Sequence, residues 1–157
     1  MLDEKTFRRQ LQYFTNSCWR VASTSEVVDW LTCGKPLAEK VVVLHFDNGW
    51  LDTATVVLPI LREFGVRATC FPITDGVEAA SAGNKVTVRT LTEDVIKKPF
   101  MKWQQLQQLV EEGWEIGAHT ATHCKIADSH AAEGDDAVTH EAETANDLFK
   151  HHLGFVP

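Results

Sequence analysis

The run from Val41 to Trp50, Val-Val-Val-Leu-His-Phe-Asp-Asn-Gly-Trp, limits what this chain can become more than any other stretch. Its first four residues are apolar and three of them are β-branched, which predicts a short strand buried on both faces, as in a parallel sheet covered by helices. Asp47, Asn48 and Gly49 are poor strand formers and good turn formers. They bring polar groups to the C-terminal end of that strand, the rim on which α/β folds carry their chemistry. Taken alone, the turn is also consistent with a connection and nothing more.

The surrounding pattern supplies helices and further strands. Phe7, Leu11 and Phe14 recur at helical spacing and predict an amphipathic helix over 3–15 with Asp3 as N-cap. A short strand is expected over 19–22, and Ser23 with Glu26 forms a capping box that opens a helix ended by Gly34 and Pro36. Beyond the turn, Val57, Ile60, Leu61 and Phe64 predict a helix over 52–64, capped by Asp52, terminated by Gly65 and bent or delayed by Pro59. Val66 to Ile73 reads as a second buried strand, completing a right-handed parallel crossover. Residues 74–99 lose the pattern and read as a small-residue loop with a weak strand at 85–89. Trp103, Leu106, Leu109 and Val110 restore a helix that Gly113 stops, and Trp114 to Ala118 gives a third strand. Val138, Ala142, Ala145 and Phe149 mark a final helix over 136–152. One domain over 1–157 accommodates all of this.

Composition excludes some partners. A formal net charge of −7 with no cationic patch argues against a nucleic-acid surface. No apolar run approaches the roughly 18 residues of a membrane span, and the charged start has no signal-peptide character. Cys18, Cys33, Cys70 and Cys124 lack CxxC spacing and read as reduced core thiols.

His119-Thr-Ala-Thr-His123 follows the third strand directly. Two imidazoles four residues apart can meet one ion if the backbone curls into a helical turn, and a neutral ring nitrogen is a common metal donor. A histidine pair that binds nothing is the alternative. This pair and the Asp47 turn both end predicted parallel strands, hence they share one rim. His151 and His152 read as residues compatible with the C-terminal dipole of the last helix, and His130 and His140 as surface residues.

With both clusters placed, the chain resembles the polysaccharide deacetylases, the NodB-type carbohydrate esterases of family 4. His45-Phe-Asp-Asn-Gly-Trp50 is similar to the family's first motif, Thr-Phe-Asp-Asp-Gly-Tyr, and His119-Thr-Ala-Thr-His123 to its second. Leu58-Pro-Ile-Leu61 before Gly65, Ala68-Thr-Cys-Phe71 and Gly113-Trp-Glu-Ile-Gly-Ala118 support the match in the family's order.

The resemblance implies an α/β fold, a distorted parallel (β/α) barrel of the NodB type, incomplete at the C-terminus. It implies metal-dependent hydrolysis of N-acetyl groups on a polysaccharide such as poly-N-acetylglucosamine or peptidoglycan. Asp47 would be the general base, His119 and His123 ligands of a divalent metal, zinc by preference with cobalt or nickel as substitutes, and Trp50 a wall of the sugar site. The family's third ligand is an acidic residue; Asn48 stands there, and a neutral amide oxygen holds a cation more weakly than a carboxylate. The later family motifs, an Arg-Pro-Pro-Tyr-like wall and a Leu-His supplying the general acid, would fall beyond residue 157. A catalytically impaired relative that binds carbohydrate or metal without turnover is therefore the second expectation. An open sheet edge would favour self-association. With no leader in the chain as given, a cytoplasmic site is the default, although the family is often exported or held in the cell envelope.

Overall fold

A computed structural model of the chain describes residues 3–85 and 98–157. It opens with helix α1, Glu4–Asn16, whose N-cap Asp3 accepts from the Thr6 amide at 3.0 Å and the Thr6 hydroxyl at 2.7 Å. Strand β1, Arg20–Val21, leads into helix α2, Thr24–Cys33. There the predicted capping box is complete, with Ser23 Oγ accepting from the Glu26 amide at 3.1 Å and the Glu26 carboxylate accepting from the Ser23 amide at 2.9 Å.

The single buried strand expected from Val41 is two strands, β2 (Val41–Val42) and β3 (His45–Asn48). Each joins a different ladder: β2 runs parallel to β1, whereas β3, β4 (Thr69–Pro72) and β5 (Glu115–Ile116) form a second parallel sheet in that order. The apolar run is half-buried rather than buried on both faces, because helices cover one side of β3 and leave His45 and Asp47 exposed on the other. On the covered side Phe46, Cys70 and Ile116 lie in register across the three strands. Phe46 meets Phe7 of α1 edge-on, with ring centroids 6.0 Å apart. The two short parallel sheets with their helices trace part of a distorted barrel.

After the turn, the predicted helix is interrupted as Pro59 requires. Residues 53–57 make a π-turn before helix α3, Leu58–Phe64. The Leu58 amide donates five residues back to the Thr53 carbonyl; Pro59 has no amide to give, and the wider turn keeps its ring off the preceding carbonyls. Asp52 makes no cap; its carboxylate instead sits 3.2 Å from Lys98 Nζ.

Residues 74–81 are helix α4, Thr74–Ser81, not a loop. Small residues there serve packing: a Cβ on Gly76 would lie 2.5 Å from Phe100 Cε1, and the alanines that follow are good helix formers. The strand expected at 85–89 falls, from Val86 onward, outside the described residues. Helix α5, Trp103–Glu111, matches its prediction, with Leu106 and Leu109 fully buried. A short helix α6, Ile126–Glu133, precedes α7, Asp135–Leu153. Phe149 of α7 is fully buried edge-on against Trp103, their ring centroids 5.9 Å apart; burial of such a side chain contributes about 1.5–3 kcal/mol. His152 stacks on Trp103 at 4.4 Å and lies 3.0 Å from Glu78, so it packs as well as ending the helix.

Of the four cysteines, only Cys70 is a core thiol; Cys18 and Cys33 are exposed and Cys124 is half-buried. Cys33 is the last residue of α2 and Cys18 lies just past the C-cap of α1, both facing water. All four are free. Among the described residues no helix is long and apolar enough to cross a membrane.

Candidate active site at the strand rim

Three strand ends meet at one level. Asn48 pairs with Pro72 in register, and the Pro72 carbonyl accepts from the His119 amide at 3.3 Å. The Asn48 carbonyl in turn accepts from the Ile73 amide at 3.1 Å. Asp47, Asn48 and His119 are thereby carried to a single rim by residues distant in sequence.

The first strand leaves this rim through two consecutive left-handed residues, Asn48 at φ +69° and Gly49 at φ +79°. A Cβ at position 49 would come 2.8 Å from the Pro72 Cβ, so glycine is required for closeness as well as for backbone conformation. Asn48 Oδ1 is buried and finds no hydrogen-bond partner among the described residues. Such an orphaned acceptor costs roughly 1–3 kcal/mol, and it is an atom suited to a cation. Trp50, the next residue, is partly exposed; its ring lies 4.5 Å from Phe100, with Lys98 Nζ 5.8 Å from its centroid.

The His119 and His123 rings come within 5.0 Å of each other, tilted by 45°. The expected helical turn is not what brings them together. Thr120 and His123 have φ of +63° and +66°, each costing roughly 1–2 kcal/mol for a residue with a Cβ. The intervening amides bond elsewhere: the His123 amide donates to Thr120 Oγ1 at 2.9 Å, and those of Ala121 and Thr122 both donate to Glu141 of α7 at 3.0 Å. A helical i to i−4 pattern is thus replaced by side-chain acceptors.

Burial lowers the His119 pKa below its ordinary 6.5; the Asp47 charge opposes this and the His123 ring reinforces it. A neutral imidazole is the form that donates to a metal. Behind the rim, burial and then the Asp47 charge push the Cys70 thiol far up, so it stays protonated. Among the described residues no three His, Cys, Asp or Glu side chains gather into a metal cluster. The donor set available is two imidazoles and the Asn48 amide oxygen, which suits a borderline divalent cation better than a hard one.

Two functional contacts escaped sequence reasoning. Glu141 lies four and eight residues before the buried Ala145 and Phe149, so it belongs to the helix's inward stripe; a carboxylate on that stripe was the available signal. Glu115 of β5 reaches the first turn of α2, accepting from Thr24 at 2.7 Å and Ser25 at 3.2 Å, and from Thr69 Oγ1 at 3.1 Å. The same Thr24 hydroxyl lies 2.9 Å from His45 Nε2, tying α2 to the strand that bears Asp47.

A parallel sheet of this kind, with its polar rim at the strand ends, is an α/β architecture, and the chain belongs to the polysaccharide deacetylase family, whose family model matches residues 34–155. The chain is 30% identical over 114 residues to the poly-beta-1,6-N-acetyl-D-glucosamine N-deacetylase of Escherichia coli (strain K12), covering 72% of this chain and 16% of that one. It is 26% identical over 123 residues to YxkH of Bacillus subtilis (strain 168), covering 78% of this chain and 38% of YxkH. It thus spans well under half the length of both curated relatives. Among solved structures, the Streptococcus pyogenes deacetylase PplD in complex with acetate superposes with a TM-score of 0.79 at 24% identity, over 99% of this chain and 60% of that one. The distorted NodB-type fold expected from the sequence is the fold observed, with no closed barrel among the described residues.

Proposed function

We propose that this chain carries the catalytic rim of a metal-dependent hydrolase that removes N-acetyl groups from an N-acetylated polysaccharide. Poly-N-acetylglucosamine and peptidoglycan are the first polymers to test; the Escherichia coli relative is named for the former. The observation that carries the reading is the shared rim: Asn48, next to Asp47, pairs with Pro72, whose carbonyl accepts from the His119 amide at 3.3 Å, and the same rim bears the unpartnered Asn48 oxygen. In this reading His119, His123 and Asn48 hold a divalent cation, zinc or in its place cobalt or nickel. When bound it supplies Lewis acidity toward the acetyl carbonyl and toward water. Asp47 accepts the proton of the attacking water as general base, and the exposed part of Trp50 lies against the sugar.

One observation favours a second reading, in which the chain binds carbohydrate or metal without turnover: a neutral amide stands at position 48 where the family motif has a carboxylate. Acetate release from poly-N-acetylglucosamine and peptidoglycan, measured with each metal added, separates the two. The hydrolase reading expects release that falls roughly 10²- to 10⁴-fold in Asp47→Asn. Binding of N-acetylglucosamine oligomers with no acetate under any metal overturns it in favour of the second. Equal zinc content in the wild type and His119→Ala removes the ligand assignment.

A further inference from the structure

The loop between His119 and His123 is clamped from two sides. From α4, the Thr74 and Asp75 amides donate to the Thr120 and Ala121 carbonyls at 3.4 and 3.0 Å. From α7, one carboxylate takes the donors: Glu141 Oε2 accepts from the Ala121 and Thr122 amides at 3.0 Å each, and Oε1 from Thr122 Oγ1 at 2.7 Å. Ala121 is buried, so its amide has no ready recourse to water. Glu141 is mounted rigidly, because Ala145 and Phe149 anchor the same stripe of α7 in the core.

We propose that Glu141 is a positioning residue for the histidine pair, holding the 120–123 backbone in the form, left-handed at Thr120 and His123, that sets both imidazoles on one rim. The proposal rests on the metal-binding reading of those histidines. The placement carries a like-charge cost: the Asp75 carboxyl is pushed above its ordinary range by burial and then by the charges of Glu141 and Glu78. A carboxylate with two oxygens is nevertheless what the loop needs, since the Ala121 and Thr122 amides, the Thr122 hydroxyl and the Cys124 thiol all converge on it. Outer partners of this kind, which bond to the scaffold of a ligand rather than to the metal, tune affinity by roughly 10- to 100-fold.

Zinc affinity of the whole chain, measured by competition with a chromophoric chelator, tests this in Glu141→Gln, Thr122→Val, Thr122→Ser and His119→Ala. Circular dichroism sets a temperature at which each variant is folded. Glu141→Gln keeps one oxygen for the two backbone amides and turns its NH₂ to the Thr122 hydroxyl, which can accept, so the bonds survive without their charge and zinc affinity is expected to fall about 10-fold. Thr122→Val loses one hydrogen bond, for a loss of about fivefold, and Thr122→Ser restores wild-type affinity. Should Glu141→Gln not fold, the Thr122 pair decides. Wild-type affinity in Glu141→Gln and Thr122→Val, with binding lost in His119→Ala, overturns the positioning role alone. No zinc binding by the wild type overturns it together with the metal-binding reading.

Discussion

Gly49 offers a sharp test of how the rim is built, because the backbone and steric parts of its role can be separated. Gly49 and Gly34 both have left-handed backbone, at φ +79° and +66°. A Cβ at Gly34 meets nothing within 4 Å, whereas one at Gly49 lies 2.8 Å from Pro72 Cβ and 3.2 Å from Pro72 Cα. Gly34→Ala therefore pays only the conformational cost, about 1–2 kcal/mol, less the few tenths regained from a stiffer unfolded chain. Gly49→Ala carries the same terms and must also displace a proline ring fixed within β4, an overpacking cost of about 1–3 kcal/mol. At roughly 2–4 °C per kcal/mol for a chain of this size, Gly49→Ala should melt about 2–12 °C below Gly34→Ala. Thermal unfolding of the two variants under one set of conditions, followed by circular dichroism, measures the difference. Equal melting temperatures, or a higher one for Gly49→Ala, would refute the close approach of the turn to β4.

Other expectations concern charge and assembly. Burial raises the Glu115 carboxyl, but the bonds from Ser25, Thr24 and Thr69 outweigh it and leave its pKa below the ordinary 4.5. A carboxylate lowered in this way contributes stability above pH 4.5 that is lost as pH falls through the folded value. Stability of Glu115→Gln should therefore fall less steeply than wild type over that acid range in urea titrations; parallel curves would exclude the linkage. Self-association, expected from sequence, is the next proposal: among the described residues β5 pairs only with β4, and an unpaired edge invites a second strand. Light scattering at micromolar concentration should show dimers or larger species, and a uniformly monomeric sample counts against it.

Local chemistry was legible in the sequence and long-range chemistry was not. The Ser23–Glu26 capping box and the Asp3 cap lie within three residues of their partners, and the glycines ending α2, α3 and α7 adopt left-handed backbone as their positions require. Both site clusters could be found because each is a compact motif after an apolar strand. The α4 helix was missed because Gly76 reads as a breaker until the Phe100 ring against it is known. Periodicity could not report that Val41 to Asn48 serves two ladders, since neighbours on either side come from residues 20–21 and 69–72. Nor could it show that Glu115 caps a helix 91 positions earlier or that Glu141 organises a loop 19 positions away.

The π-turn before α3 holds one more residue per loop of hydrogen bonding than an α-helical turn. Its length and Pro59 are therefore interdependent. Shortening 53–57 by a single residue would wind the segment into continuous α-helix, with Leu58 and Leu61 still in phase with the core, but only if position 59 regained an amide. Length variation among relatives at this place should accordingly travel with the loss of that proline, and sequences keeping Pro there should keep the extra residue.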